Sequence, residues 1–292
     1  MNILSFDIEE WVLEKDFFGN KDSKYKEYDR LLGEILDKLD ECQLKGTFFC
    51  VGRMATEFPH AVKLIADRGH DVGCHSNKHV WLTKLTREEA MEDTRIAVDA
   101  LEQCCGQKIL SYRAPAFSVG DKNKWVLEVL AECGIERDAS IFPVARDFGG
   151  FEKFGQKMPS VIKYNGIRMK EFPICTVDVL GKEIAYSGGG YFRFFPLSFV
   201  EKEMNRTDYS MTYFHLGDLN PVIEGVMSPE LFETYFQEKG SVMDRYMRYL
   251  KTNLGVKSSK KKLFRLLDVM PFVDLGQADN EIDWNNVPVI EL

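Results

Sequence analysis

Five histidines occur in the 292 residues, and two of them stand four apart in His75-Ser76-Asn77-Lys78-His79. On a helical turn that spacing puts both imidazoles on one face. It is a common way to offer two nitrogens to one divalent metal. Ordinary surface histidines share the pattern, so its position decides its weight. This pair follows Asp71-Val72-Gly73-Cys74, which reads as a short strand, and α/β proteins keep their sites at strand ends. Two neutral nitrogens call for an anionic third ligand. The apolar run Ile3-Leu4-Ser5-Phe6 breaks at its end into Asp7, Glu9 and Glu10. Two neighbouring carboxylates can divide their work, one ligating a metal and one acting as base. Arg113 closes an apolar run over 109–112 and is suited to hold a carboxylate through a bidentate pair. The plainer alternative for it is a surface salt bridge. His215 ends the run over 211–214 and is suited to protonate a leaving group near neutral pH. Against that stands a buried, hydrogen-bonded histidine. Together these residues describe metal-assisted hydrolysis of an amide or ester.

The elements that carry them alternate. Strand patterns over 3–6, 47–51, 71–74 and 109–112 are separated by helical periodicity over 28–42 and 57–68. A further helix opens at the Thr86-Arg87-Glu88-Glu89 capping box and runs to about residue 104. Residues 124–133 form the next, stopped by Gly134. Such alternation predicts a parallel α/β sheet or barrel. The second half is less regular. Residues 161–174 alternate like antiparallel strands, Ser187-Gly188-Gly189-Gly190 is a turn or a close-approach loop, and 228–252 looks helical. The basic stretch Lys257-Ser258-Ser259-Lys260-Lys261-Lys262 reads as a solvated helix start or loop, with phosphate binding as the alternative. The acidic tail from Asp279 is expected to be loose.

Hydrophobic residues make up 45% of the chain and charged residues 29%, enough apolar material for a substantial core. The net charge of −8 argues against a nucleic-acid binder. No apolar window is long enough for a transmembrane helix. The start of the sequence shows neither a basic n-region nor an apolar h-region. Its seven cysteines lack paired spacing, so reduced thiols and a cytoplasmic location are expected.

Several stretches, in order, resemble the polysaccharide deacetylases, the group sharing the NodB homology domain (carbohydrate esterase family four). Ser5-Phe6-Asp7-Ile8-Glu9-Glu10-Trp11 resembles the family's first motif. Gly46-Thr47-Phe48-Phe49-Cys50-Val51-Gly52 resembles its T-F-F-x-x-G strand. Gly69-His70-Asp71-Val72-Gly73-Cys74-His75-Ser76-Asn77-Lys78-His79 resembles its histidine segment. Tyr112-Arg113-Ala114-Pro115 and Phe214-His215 resemble two later motifs. The resemblance covers about residues 1–220. It implies a distorted, incomplete (β/α)7 barrel over 1–221, with 222–292 as a mostly helical C-terminal extension packed on it. That extension carries no readable chemistry and is expected to cover part of the groove or form a subunit contact. The implied reaction removes an acetyl group from an N-acetylated sugar or glycan precursor. Asp7 would match the catalytic base, His75 and His79 the metal-binding histidines, Arg113 the residue orienting the base, and His215 the acid.

The first motif departs from the common T-F-D-D-G pattern, because Ile8 occupies the position of the metal-binding Asp. A subgroup reads D-x-[DE] instead, which assigns the metal carboxylate to Glu9, with Glu10 as the fallback. Zinc is the default metal, and cobalt, nickel, iron or manganese would accept the same ligands. Asp138-Ala139-Ser140-Ile141-Phe142-Pro143, Glu171-Phe172-Pro173, Gly188-Gly189-Gly190-Tyr191-Phe192-Arg193 and His215-Leu216-Gly217-Asp218-Leu219-Asn220-Pro221 resemble the exopolysaccharide-locus subgroup. From the resemblance, Pro115, Glu171, Tyr191 and Arg193 are the expected substrate contacts. Two alternatives remain on the same site: removal of formyl or another non-peptide acyl group, and an inactive carbohydrate-binding relative.

Overall fold

The computed structural model describes residues 1–144, 149–220, 225–236 and 238–292. Strands β1 (Asn2–Ile3) and β2 (Ser5–Ile8) lead into the short α1 (Glu10–Leu13), a π-helical turn over Glu14–Phe18 and α2 (Asp22–Glu41). Helix α2 begins before the predicted 28 and buries Leu31, Leu32, Ile35, Leu36 and Leu39, as its periodicity requires. After β3 (Thr47–Cys50), two helices replace the single one expected over 57–68: α3 (Gly52–Glu57) and α4 (Pro59–Asp67). Pro59 lacks an N–H and fits only the first helical position, so it starts a new helix. Strand β4 (Asp71–Cys74) follows, then α5 (Arg87–Cys105), whose Thr86–Glu89 capping box forms as predicted.

Next come β5 (Ser111–Tyr112), α6 (Val126–Glu132), β6 (Arg137–Asp138), the antiparallel pair β7 (Ser160–Tyr164) and β8 (Ile167–Glu171), and the hairpin β9 (Thr176–Val179) with β10 (Lys182–Ala185). Helices α7 (Gly189–Phe194) and α8 (Leu197–Arg206) precede β11 (Ser210–Met211) and β12 (Phe214–His215). The helix predicted over 228–252 is two, α9 (Pro229–Phe236) and α10 (Val242–Asn253), the second opened by a Ser241 capping box. Helices α11 (Val256–Val269) and α12 (Leu275–Glu281) lead to β13 (Val289–Glu291).

The main sheet runs in the order β12, β2, β3, β4, β5, β6, β8, β7, β13. From β12 to β8, seven consecutive strands are parallel. This is the incomplete barrel of the NodB-like fold, with helices packed outside it. The tail is not loose. Its strand β13 pairs in parallel with β7, and Leu292 N–H donates to Lys163 O at 3.0 Å, which covers an exposed sheet edge. The basic stretch lies inside α11. Lys260 pairs with Glu34 at 2.6 Å, while Lys262 is half-buried and donates to the carbonyls of Phe192 and Phe195.

The short strands are buried on both sides, and alternation sorts their side chains. Phe6, Ile8, Phe48, Cys50, Val72 and Cys74 belong to the large core beneath the helices. Phe49 belongs to a second cluster with Phe117, Phe142 and Tyr213. On that same inner side stand Ser5, Asp7 and Arg113. Gly73 makes this possible, since a Cβ there would lie 2.5 Å from the Phe49 ring. Gly188 approaches β12 so closely that a Cβ would collide with the Tyr213 carbonyl, which is the close-approach role read for that loop.

Candidate active site

Parallel register gathers the strand ends. Phe214 pairs with Phe6 and His215 with Asp7, so the two catalytic candidates stand side by side on β12 and β2. Cys74 pairs with Cys50 and Tyr112 with Cys74, which brings His75 and Arg113 to the same rim. Residues 208 apart in sequence, Asp7 and His215, thus share one site, and residue types at strand ends were the signal that found them.

Glu9, His75 and His79 each present one donor atom within 4.8 Å of the others. His79 Nε2 lies 2.6 Å from Glu9 Oε2, and His75 Nε2 lies 3.5 Å from the same oxygen. The histidines do not sit on a helical turn, as their spacing suggests. They flank a bend in which Ser76 and His79 adopt left-handed conformations (φ 59° and 58°). Local hydrogen bonds hold that shape: Ser76 Oγ accepts from His79 N–H at 2.9 Å, and Asp93 on α5 accepts from the N–H groups of Asn77 and Lys78. His75 Nδ1 is 2.7 Å from the Arg113 carbonyl. An N–H there leaves the Nε2 lone pair facing Glu9, the orientation a metal ligand needs. The donor set therefore fits a divalent cation with open positions. Burial works against the Glu9 carboxylate, but the two histidines hold its pKa well below the usual range.

Glu10 is not part of this group. Its carboxylate accepts from Gly217 N–H at 2.8 Å and from Glu9 N–H at 3.3 Å. Burial and the neighbouring Glu9 charge push its pKa up to about 7.

Arg113 is fully buried and donates from Nη1 to Asp7 Oδ1 at 2.7 Å and to Ser5 Oγ at 2.8 Å. The expected bidentate pair does not form. Nε is used on the Ala139 carbonyl at 3.2 Å, and Nη2 has no hydrogen-bond partner among the described residues. The guanidinium carbon lies over the Phe49 ring, 4.2 Å from its centroid. Nearby, Asp138 and Glu171 are both fully buried with their carboxyls in contact. Burial lifts Asp138 to about 6. Burial and the Asp138 charge raise Glu171 well above the usual carboxylate range.

His215 is oriented from behind. Its Nδ1 lies 3.0 Å from Asp218 Oδ2, and Asp218 Oδ1 pairs with Arg193 Nη1. Asp218 also accepts from His215 N–H, and its carbonyl accepts from Ser259 Oγ on α11. His215 Nε2 faces Asp7 Oδ2 at 3.6 Å. Burial works to lower the imidazole pKa, but the Asp218 hydrogen bond and the charges of Glu9, Asp218 and Asp7 lift it to about 10. Asp218 is the residue that sequence reasoning quoted without assigning; an acid three positions past the histidine was the available signal.

A cleft of about 210 Å³ opens beside this machinery. Glu9, Glu10, His215, Asp218 and Arg193 line one side, and Phe18, Tyr235, Phe236, Arg248 and Thr252 the other. Of the four expected substrate contacts, only Arg193 lines it, and its fork is held by Asp218 and the Lys251 carbonyl. Glu171 lies wholly buried beside Asp138 and accepts from Ile141 N–H. Pro115 is buried at the start of a single 3₁₀ turn beside Arg113, and Tyr191 packs on the inner apolar cluster. The wall from α9 and α10 carried no sequence signal beyond scattered aromatics.

Residues 22–137 match the polysaccharide deacetylase family. Over that stretch, less than half of its length, the chain is similar to the polysaccharide deacetylases. Residues 139–279 match a second family, a domain of unknown function (DUF3473). The chain is 33% identical over 96 residues to a peptidoglycan-N-acetylglucosamine deacetylase of Bacillus cereus, covering 32% of this chain and 35% of that protein. The matched stretch thus spans about a third of the relative. Among solved structures, a presumed polysaccharide deacetylase from Mycobacterium smegmatis superposes with a TM-score of 0.62 at 17% identity, covering all of this chain and 92% of the other. A CE4 family pseudoenzyme from Bacillus anthracis superposes with a TM-score of 0.51 at 13% identity, covering all of this chain and 69% of the other. At such identities these likenesses establish the fold alone.

Proposed function

We propose that the chain is a metal-dependent hydrolase that removes the N-acetyl group from an N-acetylated sugar. One observation carries the reading. The Glu9–His75–His79 donor trio lies beside Asp7, which Arg113 holds, and across from His215, which Asp218 holds. A divalent metal on the trio, zinc by default, would supply Lewis-acid polarisation of the acyl carbonyl and a more acidic water. Asp7 then takes a proton from the attacking water. Its Oδ1 is tied to Arg113, so Oδ2, facing His215, is the oxygen that works. His215, as imidazolium, would give its Nε2 proton to the departing amine, and Asp218 steadies the ring. The likeness to a peptidoglycan-N-acetylglucosamine deacetylase and to a chitooligosaccharide deacetylase of Bradyrhizobium supports an N-acetylated sugar. Seven scattered cysteines support a reducing compartment, and with it a cytoplasmic glycan precursor as substrate.

Acetate release from a panel of N-acetylated sugars tests this, using metal-loaded wild type beside His75→Ala and Asp7→Asn. Metal-dependent release lost in both variants is the expected result. Stoichiometric metal binding without release would replace acetyl by another acyl group or leave an inactive relative. No metal binding would overturn the ligand assignment.

A further inference from the structure

We infer that α10 is a membrane-surface docking element that holds the chain on an anionic bilayer. The helix is amphipathic the wrong way round. None of its residues is buried. Val242, Met243, Tyr246, Met247 and Leu250, continued by Leu254, fall within one arc at 100° per residue, and all face outward. Val242 exposes 72% of its surface and Met243 66%. Phe194 extends the patch at 68%, next to Gly255, whose Cα side meets Arg193. The opposite arc is polar and faces the protein. There Arg245 donates to the Met227 carbonyl at 2.8 Å, Arg248 lies over Phe236 at 4.6 Å, and Arg248 and Thr252 line the cleft.

Monomeric proteins rarely leave a contiguous apolar stripe of this kind open to water. The local charge indicates what covers it. Residues 238–257 carry five cations against two acids (Glu238 and Asp244) in a chain whose net charge is −8; Arg245 and Arg248 turn toward the protein, and Lys239, Lys251 and Lys257 are the exposed ones. A basic, aromatic-bearing helix with an outward apolar face matches the pattern of helices that lie in the bilayer interface and attract anionic lipid. No described helix is long and apolar enough to cross a membrane, so α10 would lie on the surface rather than span it. The same helix lines the cleft from its inner face, so docking would hold the cleft about one helix diameter, ~10 Å, from the lipid surface. The surface stands apart from the deacetylase reading, which it neither needs nor supports.

The test is co-sedimentation of the full chain with vesicles of phosphatidylcholine, alone or mixed with phosphatidylglycerol. Binding to the mixed vesicles, weakened by salt, is expected. Met243→Glu with Leu250→Glu should weaken that partition about tenfold or more while leaving circular dichroism unchanged. Failure to bind either vesicle overturns the inference, as does binding that the double variant retains. A dimer in light scattering that the double variant dissolves, without vesicle binding, would give the face to a second copy and equally overturn it. A chain that binds vesicles through α10 yet releases no acetate would leave this inference standing and remove only the deacetylase reading.

Discussion

The barrel rim and the α9–α10 arm face each other across one cleft, yet they are built on opposite principles. On the rim, most polar groups of the site are buried, and neighbours set by strand register hold them. Arg113 alone ties Asp7, Ser5 and the Ala139 carbonyl together. On the arm, α10 buries nothing and leaves its apolar residues outward. Chemistry requires groups fixed to within fractions of an ångström, which buried networks supply. Contact with a variable ligand or surface tolerates a loosely held helix. The contrast says that damage to the rim should be severe and damage to the arm selective.

The largest effects are therefore expected at the trio. His75→Ala or Glu9→Gln should abolish stoichiometric metal binding, measured by metal analysis and titration calorimetry, and with it all acetate release. Retention of tight binding in either variant would break the comparison at its centre. Arg113→Ala should come next. It leaves the Asp7 carboxylate buried without its partner and should cost about 3–5 kcal/mol in denaturant unfolding. A loss under about 1 kcal/mol would mean that the rim is less rigid than its hydrogen bonds imply.

Asp218→Asn should act on pH dependence more than on fold. The Asp218 charge favours the imidazolium, so His215, lifted to about 10 in the metal-free chain, must fall when that charge is removed. The alkaline limb of kcat/KM should move to lower pH, with about 10- to 100-fold lower activity at the wild-type optimum. An unmoved limb would take the acid role from His215. The stability contribution of the raised His215 pKa has the same sign: present below the unfolded value near 6.5, and lost as pH rises toward 10.

Smallest is Tyr235→Ala on the arm. Tyr235 lines the cleft and packs edge-on against Phe17 and Phe236. Its loss should raise KM several-fold with little change in kcat, as removal of uniform binding does. A matching fall in kcat would make the arm part of the chemistry and erase the distinction drawn here.

Much of this site could be read before folding was considered. Asp7, Glu9, His75, Arg113 and His215 each close an apolar run, and a parallel sheet turns run ends into neighbours. What failed was local geometry. The His75–His79 spacing suggested a helical turn, whereas two left-handed residues and the Asp93 carboxylate make a bend with the same result. Glu171 read as a substrate contact and is instead sealed beside Asp138, because alternation along β8 turns it away from the cleft.

Residue types and periodicity by themselves determined the alternating α/β order, the strand-end chemistry and the capped helices, since these depend on interactions between residues near in sequence. Tertiary structure alone decided the rest. Asp218 became the partner of His215 and Arg193, the final strand β13 closed a sheet edge more than a hundred residues away, and α10 was left with its apolar face outward. Each depends on which distant surfaces meet, and hydrophobic patterning specifies that a face seeks cover without specifying what covers it.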